Sequence, residues 1–167
     1  MTVAIRRARA DDADFLFALM DDEATRPFLG RALQTRADVL ADIERSAGEP
    51  AVHGRFVIEV DGEPAGTVGF TRVHERHRIA EVGRFAILPR FRGTGVADEA
   101  ARVFQRHMLV ELDFHRIELQ VYGFNARAIA HAERAGFVRE GVRRCAYFRD
   151  GAWQDAVLFG LVQEDLE

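Results

Sequence analysis

The residue types suited to holding a diphosphate are gathered in Pro89-Arg90-Phe91-Arg92-Gly93-Thr94-Gly95-Val96-Ala97. A run with strand composition, Arg78 to Leu88, precedes this stretch, and an amphipathic helix is predicted from Thr94 to about Leu112. The proline stops the strand. At such a junction backbone N–H groups and the positive end of a helix dipole converge on one point. The two glycines let the backbone come close to a ligand and adopt φ > 0; they would equally serve a plain strand-to-helix turn. A mononucleotide P-loop is excluded, because it needs a lysine and the chain has none. A dinucleotide fingerprint needs a third glycine where Asp98 stands. What is present is R-x-x-G-x-G, Arg90 through Gly95.

Two later segments extend the pattern. After an alternating run, Arg116 to Tyr122, comes Asn125-Ala126-Arg127-Ala128, continuing to Glu133-Arg134-Ala135-Gly136-Phe137. Then come Glu140-Gly141-Val142-Arg143-Arg144 and Gly151-Ala152-Trp153-Gln154-Asp155. In this order the three resemble the coenzyme A loop, the N-x-x-[AS]…GF segment and the C-terminal pattern of the GNAT N-acetyltransferase superfamily, in its RimJ/RimL-like branch. The resemblance covers residues 78–162 closely and the first 75 in outline.

The resemblance implies an α/β (α+β) fold: a mixed, mostly antiparallel sheet with a splayed central strand pair and helices on both faces, one domain over residues 1–167. It implies acetyl-CoA as donor and no metal. The diphosphate would lie on the backbone of Arg92, Gly93, Thr94, Gly95, Val96 and Ala97, helped by the Arg90 and Arg92 side chains. The pantetheine arm would pair with Phe85-Ala86-Ile87, where one freed N–H polarises the thioester carbonyl. Asn125 matches the family asparagine that contacts the cofactor; it would also serve as a plain helix cap.

For proton transfer, Glu81 in Ala80-Glu81-Val82-Gly83 matches the E-[IV]-G of this branch and is the candidate general base, directly or through water. The alternative is a strand glutamate in an ion pair. RimI-type enzymes place a glutamate and a tyrosine where this chain has Gln120 and Ala132, so a RimI-type site is not expected. Tyr147 is the candidate proton donor. The leaving thiol, with a pKa of about 8.5, needs little help, and an α-amine at about 7.7–8.0 needs a weaker base than a lysine-like amine at about 10.4.

Phe28, Trp153 and Asp155 are the candidate acceptor contacts. Phe28 could instead be a core residue, and Asp155 could brace the terminal hairpin. The expected acceptor wall, Arg26-Pro27-Phe28-Leu29 with Tyr147 to Trp153, matches its carboxylates with arginines. That suits a peptide α-amine, possibly ribosomal, or an amino sugar better than a polyamine, whose ammonium groups each need a partner. The implied function is acetyl transfer from acetyl-CoA to a primary amine. The alternative is a non-catalytic acyl-CoA-binding module of the same fold.

Composition agrees with a globular chain: 48% apolar, 30% charged, net charge −4. Its 23 basic residues, all arginine, are dispersed, which argues against nucleic acid. Cys145 is the only cysteine. No apolar run reaches membrane-spanning length and no leader opens the chain, so a cytoplasmic monomer or homodimer without a membrane partner is expected. His74 and His77 are three apart in a predicted connection, not four apart on a helix as a zinc motif requires.

Periodicity orders the remaining elements. Val3 to Arg9 is strand-like; Phe15, Leu16, Leu19 and Met20 share a helix face; Thr35 caps a second helix to about Ala47, with Asp38 completing a capping box. Asp61-Gly62 turns a hairpin between Phe56–Val60 and Ala65–Phe70, followed by a charged connection from Arg72 to Arg78. The expected order is βααβββαβαββ.

Overall fold

Thr35 opens a helix because its hydroxyl accepts from the Asp38 amide at 3.1 Å while the Asp38 carboxylate accepts from the Thr35 amide at 2.8 Å. Local signals of this kind set the elements of the computed structural model, which describes residues 1–28 and 34–166. In chain order they are β1 (Val3–Arg7), α1 (Ala13–Asp21), α2 (Arg36–Gly48), β2 (His53–Val60), β3 (Glu63–His74), β4 (Ile79–Ile87), α3 (Val96–Arg106), β5 (Arg116–Tyr122), α4 (Ala126–Arg134), β6 (Val138–Arg149) and β7 (Ala152–Val162). The order is the expected βααβββαβαββ.

The strands make one seven-stranded sheet, β1-β2-β3-β4-β5-β7-β6. Only β4 and β5 pair in parallel; every other neighbouring pair is antiparallel. The parallel pairing is short, joining Ile79, Ala80 and Glu81 to Arg116, Ile117 and Glu118. Past Glu81 the two strands separate, which leaves the β5-facing edge of β4 without a strand partner. This is the splayed central pair.

Helices cover both faces. On one, Leu16 of α1 and Val39 and Ile43 of α2 bury against Val57. On the other, Val96, Ala100 and Phe104 of α3 and Ala132 of α4 pack on Val68, Ile117 and Val121. Each fully buried large apolar side chain contributes about 1.5–3 kcal/mol. These two layers clamp the sheet and leave the splay open between them.

Two boundaries differ from expectation. The regular part of α3 ends at Arg106, and the chain continues as a wider π turn over His107–Glu111. Met108 and Leu109 are both buried in this turn. β3 runs on through the charged segment to His74, because Arg72 and His74 pair with Ala80 and Ile79 at the solvated end of the hairpin. Leu29, expected in the acceptor wall, lies outside the described residues. Among the described residues no helix is long and apolar enough to cross a membrane.

Candidate active site

The splay is shaped by a bulge in β4. Gly69 pairs with Gly83 and Thr67 with Ala86, so Arg84 and Phe85 together face Val68 alone. Arg84 sits at φ +54°, a left-handed conformation that costs an L-residue about 1–2 kcal/mol. Its guanidinium is ion-paired with Asp42 of α2. The same carboxylate meets Arg55 Nη1 at 3.2 Å and His53 Nε2 at 2.6 Å, both residues being buried in β2. Burial alone would raise the Asp42 carboxyl, but the His53 hydrogen bond with Arg84 and Arg55 outweighs it and holds the group far below the usual carboxylate range. The α2 layer thus grips the bulge from beneath.

A cavity of about 810 Å³ opens at the splay. Phe85, Ala86 and Ile87 line it with Gly93, Ala97 and Asn125. Gly93 has φ +71° and Gly95, the residue before α3, has φ +86°. A Cβ added to either would meet nothing within 4 Å, so the space beside them is open. The first backbone bond of the helix runs from the Glu99 amide to the Gly95 carbonyl at 3.1 Å. The amides of Val96, Ala97 and Asp98 therefore precede the intrahelical ladder, as donors at the N-terminus of an eleven-residue helix. This open glycine loop with unpaired donors fits a diphosphate. Asp98 in the first turn would oppose one, but His131 at 3.4 Å and Arg134 at 3.5 Å flank it.

The loop side chains divide. Arg92 turns inward, donating from Nε to the Ile87 carbonyl at 3.2 Å and from Nη2 to Thr25 Oγ1 at 3.1 Å. Arg90 points away from the cavity, lying over the Phe91 ring and 3.5 Å from Glu63. The Thr94 hydroxyl closes the loop on the Phe91 carbonyl. Val96 has its side chain in the core, leaving only its backbone for a ligand. Asn125 caps α4, its Oδ1 accepting from the Ala128 amide at 3.2 Å, while it also lines the cavity.

Glu81, Tyr147 and Phe28 line the other side. Glu81 is exposed to the cavity. The Tyr147 hydroxyl donates to Gln120 Oε1 at 2.6 Å. Burial pushes the Tyr147 phenol up, Arg143 opposing and Glu81 adding to the rise. Phe28 is 42% exposed, tilted against Phe124 with centroids 6.3 Å apart and with Arg127 over its ring. Arg149 of β6 bridges to this wall, donating to the Arg26 carbonyl at 2.8 Å and to the Tyr122 hydroxyl at 3.1 Å.

Trp153 and Asp155 stand apart from the cavity lining. Trp153 is 62% exposed and packs edge-on against Phe148 at the tip of the β6–β7 hairpin. Asp155 is a brace: its Oδ1 accepts from the Cys145 amide at 2.9 Å. Between Arg143 and Tyr147, β6 is bulged against the shorter β7 span from Ala156 to Gln154, with Cys145 at φ +50°. The aspartate holds that bulge, and the bulge turns Tyr147 toward the cavity.

Gln120, at the position of the RimI-type glutamate, lines the cavity too, and motif reading missed Thr25, Thr71, Tyr122 and His131 there. Burial pushes the His131 imidazole down, with Asp98 opposing. Thr71 had a legible signal, because the β3–β4 register sets it directly across from Glu81. The others depend on how distant segments meet.

A mixed sheet splayed between two helical layers, with a glycine loop at the helix that follows the splayed strand, is an α/β fold of the GNAT type. Residues 2–138 match the acetyltransferase (GNAT) domain family, and the chain belongs to it. It is 32% identical over 109 residues to spermidine N(1)-acetyltransferase of Escherichia coli (strain K12), covering 65% of this chain and 58% of the relative. It is 34% identical over 82 residues to the SPbeta prophage-derived N-acetyltransferase YokL of Bacillus subtilis (strain 168), covering 49% and 46%. The matched segments thus span about half the length of these curated relatives. Among solved structures, spermidine N-acetyltransferase from Vibrio cholerae in complex with CoA and spermine superposes with a TM-score of 0.86 at 23% identity, over 98% of this chain and 96% of that one. Ribosomal-protein-S5-alanine acetyltransferase from Vibrio fischeri gives 0.84 at 19% identity, over 100% and 96%. At these identities the likeness speaks for the fold.

Proposed function

We propose that residues 1–167 act as one domain that moves the acetyl group of acetyl-CoA directly to a primary amine. The observation that carries this reading is the shared cavity: the glycine loop and the unpaired edge of β4 open into the same space as Glu81 and Tyr147. The diphosphate lies on the backbone from Arg92 to Ala97, with Gly93, Thr94 and Gly95 giving close approach. The pantetheine amides pair with Phe85, Ala86 and Ile87 as an added strand would. Arg92 and Asn125 steady the arm from either side.

The amine nitrogen attacks the thioester carbonyl carbon. A C–N bond forms, the C–S bond breaks, and the amine proton passes to Glu81. The thiolate leaves with the electron pair of the C–S bond and takes a proton from Tyr147 or from water. Support for Tyr147 as the donor is its place in the same cavity as the glycine loop, with a phenol that is protonated at neutral pH. No metal is needed for this sequence.

For the acceptor we favour a peptide α-amine or an amino sugar. Asp21 and Glu81 are the carboxylates among the described lining residues, and Asp21 pairs with Arg26 at 3.3 Å. That is meagre for a polyamine. Spermidine is the second reading, favoured by the relative in Escherichia coli named for it. A panel of alanine tripeptide, glucosamine and spermidine with acetyl-CoA, read by mass of the product, tests both. Turnover of the peptide or sugar with the higher kcat/KM supports the favoured reading; spermidine as best acceptor replaces it; no turnover of any amine leaves a non-catalytic acyl-CoA-binding module.

A further inference from the structure

The cluster beneath the bulge continues sideways into the cavity. His53, Thr71 and Glu81 lie in one row across β2, β3 and β4, because His53 pairs with Thr71 and Thr71 with Glu81 in the sheet register. Directly paired residues share a face. His53 Nε2 lies 2.6 Å from Asp42 Oδ1, and His53 Nδ1 lies 3.0 Å from Thr71 Oγ1. Asp42 and His53 are nearly closed to solvent, whereas Thr71 and Glu81 line the cavity.

The polarity of this chain follows from its charges. Asp42 on α2 is an ionised carboxylate and can only accept. Arg84 from β4 and Arg55 from β2 already share it, and Arg7 from β1 donates to the His53 carbonyl at 3.0 Å. The hydrogen bond to Asp42 is therefore donated from His53 Nε2, and in the neutral ring Nδ1 is left as an acceptor. The one proton of the Thr71 hydroxyl is donated to it.

We propose that Thr71 is an amine-binding residue of the acceptor site: with its proton committed to His53, its oxygen faces the cavity as an acceptor beside Glu81. Cross-strand partners of this kind have Cβ atoms about 4.5–5.5 Å apart, which is within reach of a single nitrogen. A primary amine has protons for both oxygens. An alcohol has one and leaves the other acceptor unmatched, so the pair selects amines over hydroxyl groups. Asp42 and His53 are positioning residues that fix which way the threonine hydroxyl points. This inference rests on the acetyltransferase reading and adds the group that orients the nucleophile.

The test uses the full-length protein with the amine from the panel that the wild type acetylates fastest. Thr71→Val keeps the β-branched shape and removes the oxygen. It is expected to raise the KM for the amine about tenfold or more, with the KM for acetyl-CoA within twofold of wild type. Thr71→Ser is expected to restore the amine KM to within about threefold. In protein labelled with ¹⁵N at histidine, with His53→Gln for assignment, the His53 ring is expected as the neutral Nε2–H form at pH 7. An unchanged amine KM in Thr71→Val overturns the proposal. So does a His53 ring protonated on Nδ1, since the threonine proton would then turn to the cavity. Failure of the acetyltransferase reading looks different: the wild type then turns over no amine at all.

Discussion

Tyr147 and Gln120 are joined by a 2.6 Å hydrogen bond in which the phenol is the donor. To protonate a departing thiolate, Tyr147 must exchange that bond for one to sulfur, so its benefit to catalysis is partly offset. Tyr147→Phe is expected to lower kcat by less than about tenfold. Glu81 is exposed and lines the cavity, and among the described residues none hydrogen-bonds its carboxylate. Glu81→Gln is expected to lower kcat near neutral pH by about 10²–10⁴-fold, with the acetyl-CoA KM almost unchanged. Steady-state kinetics of the two variants checks the ranking; a Glu81→Gln loss below about threefold across the pH range would make Glu81 structural.

Asp155→Ala removes the acceptor for the Cys145 amide and frees the β6 bulge. We expect a stability loss of about 1 kcal/mol and a raised amine KM as Tyr147 loses its orientation, with the acetyl-CoA KM unmoved. Thermal melts and separate KM values distinguish this from direct acceptor binding, which would leave the melt unchanged.

The pairing of Asp42 with Arg84, Arg55 and His53 makes its stability contribution depend on pH. Its native pKa lies far below that of the unfolded carboxyl, so the contribution is complete above about pH 4 and is lost as pH falls toward the native value. Asp42→Asn removes the carboxylate shared by Arg84, Arg55 and His53 and should cost about 3 kcal/mol at pH 7. Denaturant melts at pH 7 and pH 3 should show the gap to wild type narrowing in acid. An equal gap at both values would contradict the ion-pair explanation.

Much of this architecture is legible in the chain because it depends on local signals. Thr35 and Asp38 announce α2, Asn125 and Gly136 bracket α4, and Asp61-Gly62 turns β2 into β3. The bulge at Arg84 is not legible, since an arginine gives no hint of positive φ; it depends on Asp42, which arrives from another layer. The Asp42–His53–Arg55 cluster likewise joins segments with no common motif. Trp153 and Asp155 resemble a family pattern, but a pattern records which residues recur, not whether they meet the ligand or brace a strand. The β3–β4 register would have placed Thr71 beside Glu81 had the hairpin been extended to His74.

Asn125→Ala should act twice. Loss of the cap costs about 1 kcal/mol of stability, and loss of the side chain beside the cofactor arm raises the acetyl-CoA KM more than it changes kcat. A change in stability without a change in KM would assign Asn125 to the helix alone.

Calorimetric titration of acetyl-CoA into the wild type and into Gly93→Glu and Gly95→Glu bears most directly on the cofactor cradle. Both glycines have positive φ, so each substitution carries about 1–2 kcal/mol of backbone strain, but an added Cβ meets nothing within 4 Å. Thermal melts should show both variants folded. The wild type is expected to bind with micromolar or tighter affinity and both variants to lose binding, because the carboxylate fills and repels the diphosphate position. Undiminished binding in the two folded variants would contradict a diphosphate site at this loop.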